Sequence, residues 1–395
     1  MYGPNAAGKT NIIEAMEDFK RIILSANILN NPVLQATSRH GGSLEFIPNV
    51  ISADDLPTDF SIEFISEDRE NKKNYVFKYN LSVQLGKFAK PDYQRKILLE
   101  ELFIGGKEIF TRKENKIELN FNKLKRFLPY SFKKTESKNI MKRLNENLVQ
   151  TDLFLTSGFK NICSSQLVEI FKNWFLNNFK IICNANKVEV FPPVSVLKEA
   201  KDRKFVKNSV LDKILKKLGI VSDVGYGFNK FKNYCELASL IKNDNNSTNV
   251  IVPSRIFESL GTLRLSSLII ILYNAIKSGL TIVMDEFDAS IHPMIIMNII
   301  NLFHNDEINK NHAQLIFSTH NPIFLKSSLF RRDEIKFVDK EENSNTSILY
   351  ALSDFGTNSR KPVRKTTDYM KNYFINRYGA VRDVNLSDVF KEYYR

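Results

Sequence analysis

The stretch MYGPNAAGKT, residues 1–10, decides the fold because it contains the spacing G-x-x-x-x-G-K-T. In a phosphate-binding loop of this spacing, backbone N–H groups curl around a phosphate chain and the next helix points its N-terminus at it. Gly3 and Gly8 permit the positive φ values and close approach that the curl needs. Lys9 would bring a positive charge to the β- and γ-phosphates, and the Thr10 hydroxyl would ligate Mg²⁺.

Such a loop is expected to follow a strand and to precede a helix. Residues 11–24 carry apolar side chains at helical spacing, which predicts the helix. Only Met1 and Tyr2 precede Gly3, so we expect the first strand to be missing. A start at an internal methionine of a longer reading frame would explain this. It predicts upstream coding sequence for a strand rich in Val, Ile or Leu.

Composition indicates a globular protein that can bury a real core, since 43% of its 395 residues are hydrophobic and 26% are charged. The longest apolar run, 265–276, is interrupted by polar residues and is too short to span a bilayer. No signal-peptide pattern begins the sequence. Cys163, Cys183 and Cys235 lack paired spacing, which predicts neither a disulfide framework nor a zinc site. We therefore expect a cytoplasmic protein with no membrane partner.

The charge balance favours an anionic partner. There are 57 Lys and Arg against 44 Asp and Glu, a net charge of +13, which nucleic acid would complement. An AT-rich genome would produce the same Lys-, Asn- and Ile-rich composition. The segment 112–143 is densely basic and has interleaved aromatic residues, a composition that could bind nucleic acid. A solvated helical surface with inward-facing aromatic rings would explain that segment equally well.

The middle of the chain predicts strands first and helices afterwards. Alternating runs at 60–65 and 75–83 predict a β-hairpin, and a second hairpin is predicted where Gly105-Gly106 joins 96–104 to 107–110. Together they would form an antiparallel β-lobe beside the nucleotide. From 148 to 240 helical patterns dominate, and no heptad repeat persists, which argues against a long coiled coil.

Two apolar strand runs end in groups that can do chemistry. LTIVMDE, residues 280–286, ends in Asp285, placed to hold Mg²⁺, and Glu286, placed to orient and deprotonate a water. QLIFSTH, residues 314–320, is a second buried strand that ends in His320. Either ending alone is usually structural, but two of them in a chain with a phosphate loop indicate one active site.

The segment ESLGTLR, residues 258–264, precedes an apolar helix. Ser259, Gly261 and the N-terminus of that helix would form a second anion-binding surface. Because the chain already has one loop for phosphate, a second surface makes sense if it serves the nucleotide of another chain.

In their order, these motifs resemble an ABC-type ATPase head: Walker A, signature, Walker B, D-loop and switch histidine at 3–10, 259–264, 284–288, 290–293 and 318–321. The variety resembled is the bacterial AAA-family ATPases related to the overcoming-lysogenization-defect (OLD) and RecF/SMC branch. The segments 151–156, 331–337 and 376–380 are similar to further stretches of that family.

The resemblance implies an α/β fold, a P-loop NTPase head with an αβα core, an antiparallel β-lobe and a helical insertion. Its parts would be an N-terminal ATPase lobe (1–111), a basic helical insertion (112–245) and a C-terminal ATPase lobe (246–395). It also implies ATP and Mg²⁺ as cofactors, with two heads enclosing two ATP molecules.

The resemblance assigns roles to individual residues as well. The nucleotide would be bound by Gly3, Asn5, Gly8, Lys9 and Thr10, and the metal by Thr10 and Asp285. Glu286 would be the catalytic base, His320 would sense the γ-phosphate, and Ser259 and Gly261 would contact the nucleotide of the partner. The glutamine of the family's Q-loop has no clear counterpart, and Gln35 is a poor candidate.

The resemblance implies an ATP-hydrolysing switch that forms a homodimer or higher oligomer on nucleotide, in an antiphage or abortive-infection system with a separate effector nuclease or toxin. A RecF/SMC-like DNA-binding repair ATPase is the alternative, and the basic insertion keeps it open. A transporter subunit is disfavoured because the chain between Lys9 and Asp285 is far longer than a transporter head usually needs.

Overall fold

A computed structural model describes residues 1–29, 56–68, 70–85, 95–124, 137–183, 204–220, 223–229, 234–241, 249–341, 346–355, 363–364, 366–382 and 386–393. Two compact units are formed, and both are discontinuous in sequence. Unit 1 comprises Met1–Lys9, Asn184–Lys340 and Ser347–Arg395, and unit 2 comprises Thr10–Cys183 and Glu341–Thr346. The expected three lobes at 1–111, 112–245 and 246–395 divide the chain differently, because the phosphate loop groups with the C-terminal half.

Unit 2 contains a five-stranded sheet and short helices. In chain order its elements are α1 (Lys9–Ser25, whose first residue belongs to unit 1), β1 (Thr58–Asp68), β2 (Lys73–Gln84), β3 (Lys96–Ile104), β4 (Lys107–Lys113), β5 (Lys116–Leu119), α2 (Phe121–Leu124), α3 (Ser137–Glu146), α4 (Lys160–Ile162), α5 (Ser165–Asn173) and β6 (Phe179–Ile182). Single π-helical turns at Leu155–Phe159 and Trp174–Asn178 flank α4 and α5. The predicted helix after the phosphate loop is confirmed as α1.

The sheet of unit 2 has the strand order β1-β2-β3-β4-β5 with antiparallel neighbours, which confirms both predicted hairpins. The first strands are longer than predicted because pairing continues from Phe64↔Phe77 through Asp68↔Lys73. Gly105 and Gly106 form the second turn with φ values of 55° and 73°, a left-handed backbone that glycine adopts without strain.

Aromatic packing forms the core between this sheet and α5. The Phe64 ring stacks on Trp174 at 4.3 Å between centroids and meets Phe171 and Phe175 edge-on. Phe77, Phe171 and Phe175 are fully buried. The segment 168–175 therefore covers the sheet with its apolar face.

A buried ion pair fixes the chain that follows α3. Glu100 and Arg112 are both 0% exposed, and their charged groups lie 3.7 Å apart. Glu100 accepts the backbone N–H groups of Phe154 and Leu155 at 2.7 and 2.8 Å. The Arg112 guanidinium donates to the carbonyl oxygens of Asp152 at 2.7 Å and Val149 at 2.8 Å.

This ion pair corrects one expectation for the basic segment 112–143, because Arg112 faces the core instead of solvent. Its guanidinium is satisfied by carbonyl oxygens that a composition count cannot reveal. Phe127, Tyr130 and Phe132, three of the interleaved aromatic residues, lie outside the described residues. Gln35 lies outside them as well.

Unit 1 combines a parallel strand pair with an antiparallel sheet. Its elements are β7 (Phe205–Lys207), α6 (Ser209–Lys217), β8 (Asp223–Asn229), β9 (Tyr234–Ile241), β10 (Val250–Pro253), α7 (Ser254–Phe257), α8 (Leu260–Ser278), β11 (Thr281–Met284), α9 (Pro293–His304), β12 (Gln314–Phe317), β13 (Lys336–Lys340), β14 (Ser347–Ala351), α10 (Tyr369–Phe374) and α11 (Leu386–Tyr393). Single 3₁₀ turns occur at Pro322–Phe324 and Leu352–Asp354.

The prediction that helices dominate as far as residue 240 is wrong for its last part. Strands β7, β8, β9 and β10 form an antiparallel sheet in the order β10-β9-β8-β7. Gly225 explains part of this arrangement, since a Cβ at that position would lie 2.4 Å from the carbonyl oxygen of Val206 on β7. Only glycine allows the two strands to approach so closely.

The first two residues occupy the place of the strand that the sequence seemed to lack. The backbone nitrogen of Met1 donates to the carbonyl of Phe317 at 2.6 Å, and Thr319 N–H donates back to Met1 at 3.0 Å. On the other side, Tyr2 N–H donates to the Lys336 carbonyl at 2.8 Å, and the Tyr2 carbonyl accepts from Val338 N–H at 2.7 Å. This short ladder of bonds contains one isolated parallel bridge, Tyr2↔Phe337, and no strand is assigned ahead of the loop among the described residues.

Helix α8 is a long and largely apolar helix. Its 19 residues meet the length and composition of a membrane span. The helix is longer than the apolar run 265–276 suggested. Half of its most apolar window is buried within the molecule, as in the core helix of a globular domain. Cys163, Cys183 and Cys235 are all buried.

Candidate nucleotide site

The phosphate loop adopts a backbone that glycine makes possible. Gly8 has a φ of 104° and Ala6 a φ of 62°, so the chain turns through the left-handed region twice before α1 begins. A Cβ at Gly3 would lie 2.1 Å from the carbonyl oxygen of Val338, and one at Gly8 would lie 2.3 Å from Ser347 Oγ. The hairpin of β13 and β14 therefore presses on both glycines of the motif, which is why neither position tolerates a side chain.

The loop closes around the ammonium of Lys9, the first residue of α1. Lys9 is 5% exposed, and its Nζ donates to the carbonyl oxygens of Gly3 at 2.8 Å and Pro4 at 2.9 Å. Asn5 is exposed within the loop, and Thr10 follows Lys9 as the second residue of the helix. A buried cation inside a ring of backbone groups is suited to bind phosphate oxygens.

The predicted metal ligand lies just beyond β11. Asp285 is 2% exposed, and one of its carboxylate oxygens accepts the Ser318 hydroxyl. The same hydroxyl oxygen accepts the N–H of Glu286 at 2.9 Å. β11 and β12 pair in parallel with Met284 opposite Phe317, so Ser318 bridges the ends of neighbouring strands. The carboxylate is thereby fixed at the strand edge, where a hard cation would find an oxygen ligand.

The predicted base, Glu286, sits on a strained turn. Its φ is 48°, a left-handed conformation that costs an ordinary residue roughly 1–3 kcal/mol and concentrates at functional sites. Its carbonyl oxygen accepts the Arg264 guanidinium and, at 3.1 Å, the N–H of Ala289. The side chain is half-buried. These bonds hold the turn in place.

Arg264 is a site residue whose role the sequence reasoning missed, although it ends the signature motif. It is 7% exposed and joins α8 to the Walker B turn through its bond to Glu286. Burial lowers the pKa of its guanidinium, and the nearby carboxylates of Asp288 and Glu286 oppose that shift. Ser318 was missed in the same way, and its position one residue past the strand was the available signal.

His320 completes the group of charges. Partial withdrawal of its ring from water and the neighbouring Lys9 ammonium lower its pKa below 6.5, while Glu286, Asp288 and Asp285 oppose the shift. The ring therefore favours its neutral form at pH 7, able to donate from one nitrogen and accept at the other. The structure thus brings together the predicted residues Lys9, Asp285, Glu286 and His320 within electrostatic range.

The signature residues form a separate surface of unit 1. Ser259 is exposed and caps α8 by accepting Thr262 N–H at 3.2 Å. A Cβ at Gly261 would lie 3.0 Å from the carbonyl oxygen of Ser290, which follows the Walker B turn. Among the described residues, no hydrogen bond joins Ser259 to the phosphate loop.

A comparison with known protein families shows which family the chain belongs to. Residues 1–326 match the family model described as "AAA domain, putative AbiEii toxin, Type IV TA system". The chain belongs to this family of AAA domains. The match confirms the predicted P-loop α/β fold and the broader ATPase family. No curated protein matches the chain of this AAA domain. The hairpin of β13 and β14, which contacts the phosphate loop, lies beyond the matched residues.

The donor set of this AAA domain fits ATP and Mg²⁺. A ring of backbone groups with the Lys9 ammonium suits phosphate oxygens. The buried Asp285 carboxylate is the kind of oxygen ligand that Mg²⁺ prefers.

Proposed function

We propose that this AAA domain binds and hydrolyses ATP and works as a nucleotide-dependent switch. The observation that carries the proposal is the convergence of Lys9, Asp285, Glu286 and His320 within unit 1. Bound Mg²⁺ would neutralise charge on the phosphate oxygens. Glu286 would orient a water and accept its proton, while Ser318 keeps Asp285 and the Glu286 backbone aligned.

His320 in its neutral form would then donate a hydrogen bond to the terminal phosphate without adding a second cation beside Lys9. Because the Arg264 guanidinium donates to the Glu286 carbonyl, we assign it a positioning role. It holds the strained turn at Glu286 from the side of α8.

We further propose that two copies close over the nucleotide, with Ser259 and Gly261 of each facing the phosphate loop of the other. Exposed apolar side chains next to the signature support this. Ile256 is 71% exposed, Phe257 51% and Leu260 62%, which is unusual for neighbouring large apolar residues. A second copy would cover them.

The description of this family points to toxin–antitoxin systems. We therefore propose that the switch serves an abortive-infection or antiphage system in which a separate protein is the effector nuclease or toxin. A repair role of the RecF/SMC kind remains the alternative, to be judged by the binding experiment below.

Replacing Glu286 with Gln tests the central proposal. Removing the base should lower turnover by roughly 10²- to 10⁴-fold, and ATP should then hold the variant as a dimer in light scattering. The matched control is Glu307→Gln, an exposed carboxylate of the same unit, which should keep turnover and remain monomeric after hydrolysis. Wild-type turnover in Glu286→Gln would remove Glu286 from the role. A variant that stops turnover but stays monomeric with ATP would disprove the dimer.

A further inference from the structure

Unit 2 contains a large cleft that the proposed ATPase activity does not use. Its volume is about 1060 Å³, and it lies among the strands β1 to β4, the short helix α2 and the segment from α4 to α5. Small-molecule pockets usually have mostly apolar walls and volumes up to about 1,000 Å³. This cleft is at the upper limit of that range and is about as polar as it is apolar. Its size and walls suit an extended polar ligand.

Four lysines from four different elements surround the cleft. Lys73 begins β2, Lys107 begins β4, Lys123 lies in α2 and Lys160 begins α4. All four are exposed. These lysines come from distant parts of the sequence and are brought together by the fold. Their grouping is therefore not a local run of basic residues.

Carboxylates do not balance these lysines. Asp68 is the one acidic residue of the lining, and its carboxylate is committed to its own turn by bonds from Asn71 at 2.9 Å and Glu70 N–H at 3.1 Å. Glu70 adds a charge at the rim, where it accepts from Gln166 at 3.2 Å. Within the described parts of the chain, Lys107, Lys123 and Lys160 form no ion pair.

The positive charge around the cleft affects the pKa of a neighbouring lysine, Lys172. Burial lowers the pKa of Lys172, and the charge of Lys160 lowers it further. Mutual repulsion among cations is a cost that a bound polyanion would remove. The remaining polar lining consists of amide and hydroxyl groups, such as Asn122, Asn161 and Ser165, which can bond to phosphate or base edges.

Apolar and aromatic surface lies beneath the lysines. Tyr75 is half-buried in the wall, and the ammonium of Lys73 lies 5.2 Å from the centre of its ring. Ile104 and Ile109 continue the apolar floor. A cationic groove with an aromatic and apolar floor is the combination that proteins use for single-stranded nucleic acid, where bases stack and phosphates meet lysines.

We propose that this cleft of unit 2 binds single-stranded nucleic acid, with Lys73, Lys107, Lys123 and Lys160 contacting the phosphates. The site is separate from the residues that carry the proposed ATPase activity, so the two proposals can fail independently.

The test measures binding of a fluorescent 12-nucleotide deoxythymidine strand by anisotropy, at several salt concentrations and with excess Mg·ADP to fill the phosphate loop. Four phosphate contacts predict a slope of log affinity against log salt of about −3. The variant Lys107→Ala/Lys123→Ala/Lys160→Ala should reduce the slope to about −1 and weaken binding roughly 10- to 100-fold at low salt.

The control variant is Lys113→Ala/Lys138→Ala/Lys142→Ala, which removes the same charge from exposed lysines of unit 2 that do not line the cleft. It should bind within about twofold of the unmodified chain. Equal weakening in both variants would show nonspecific attraction and overturn the site. So would a 12-base-pair duplex that binds as tightly as the strand, or inorganic triphosphate that displaces the strand at equal phosphate concentration.

A uridine strand of the same length separates RNA from DNA as the source of the strand, and binding of either one supports the site. The basal ATPase rate of the lysine variant should not change, because none of its positions belongs to the nucleotide site. A rate that falls with the lysines would contradict the separation of the two sites.

Discussion

A single hydroxyl holds two functional groups of the nucleotide site. Ser318 donates to Asp285 and accepts from Glu286 N–H, and it is completely buried. In Ser318→Ala the carboxylate and the N–H would both lose their partner, which costs roughly 1–3 kcal/mol of stability. We expect a corresponding drop in the free energy of unfolding in urea and a lower kcat at saturating ATP.

The matched control for that substitution is Ser328→Ala, an exposed serine of unit 1. A surface change of this kind should stay within about 0.5 kcal/mol. If Ser318→Ala kept its full kcat while losing stability, the hydroxyl would support the fold without aligning the site.

At the scale of the element, the hairpin of β13 and β14 shapes the phosphate loop. Gly8→Ala would force a side chain to a φ of 104° and to 2.3 Å from Ser347 Oγ, so we expect ATP binding to be lost. Adding Ser347→Gly removes the clash but not the backbone strain, and should restore part of the binding.

Gly3→Ala meets the backbone oxygen of Val338, so no side-chain substitution on the hairpin should rescue it. Calorimetric titration with an ATP analogue would compare the three variants. Equal losses in Gly8→Ala with and without Ser347→Gly would show that the hairpin contact is irrelevant.

At the scale of the whole molecule, each unit contains its own group of charged residues. Unit 1 has those of the candidate nucleotide site, and unit 2 has the buried ion pair of Glu100 and Arg112. Arg112→Met would leave the buried Glu100 carboxylate without its cation, which costs roughly 3–5 kcal/mol. Hydrogen exchange should accelerate in unit 2, near the backbone bonds of Phe154 and Leu155, and remain unchanged in unit 1. Glu100→Gln in the same chain should recover part of the stability. Loss of protection in unit 1 alone would contradict this assignment.

The pH dependence of the Arg112→Met variant has a definite sign. Burial raises the pKa of Glu100 above 4.5, and Arg112 is one of the groups that oppose this rise. Without Arg112, the pKa of Glu100 in the folded chain would rise further above its value in the unfolded chain. The Glu100 carboxyl would then keep its proton to a higher pH in the folded chain than in the unfolded one. The destabilisation should therefore be smallest in acid and grow as pH rises.

Sequence alone predicts the elements whose signals are local. Helix α1, the two hairpins and the strands that end near Asp285 and His320 follow from periodicity and turn residues. The strands from β7 to β9 do not, because they take their stability from partners elsewhere in the fold. The burial of Arg112 could not be predicted from the sequence either, since its acceptors are carbonyl groups of a distant segment.

The ladder around Met1 and Tyr2 has a consequence for synthesis on the ribosome. Met1 bonds to Phe317, 316 residues away, and Tyr2 bonds to Lys336 and Val338. Pairing over such a separation is slow to form and must wait until the distant strands exist. The phosphate-binding loop would therefore reach its native position only after the segment from 317 to 338 has been synthesised and has left the ribosome.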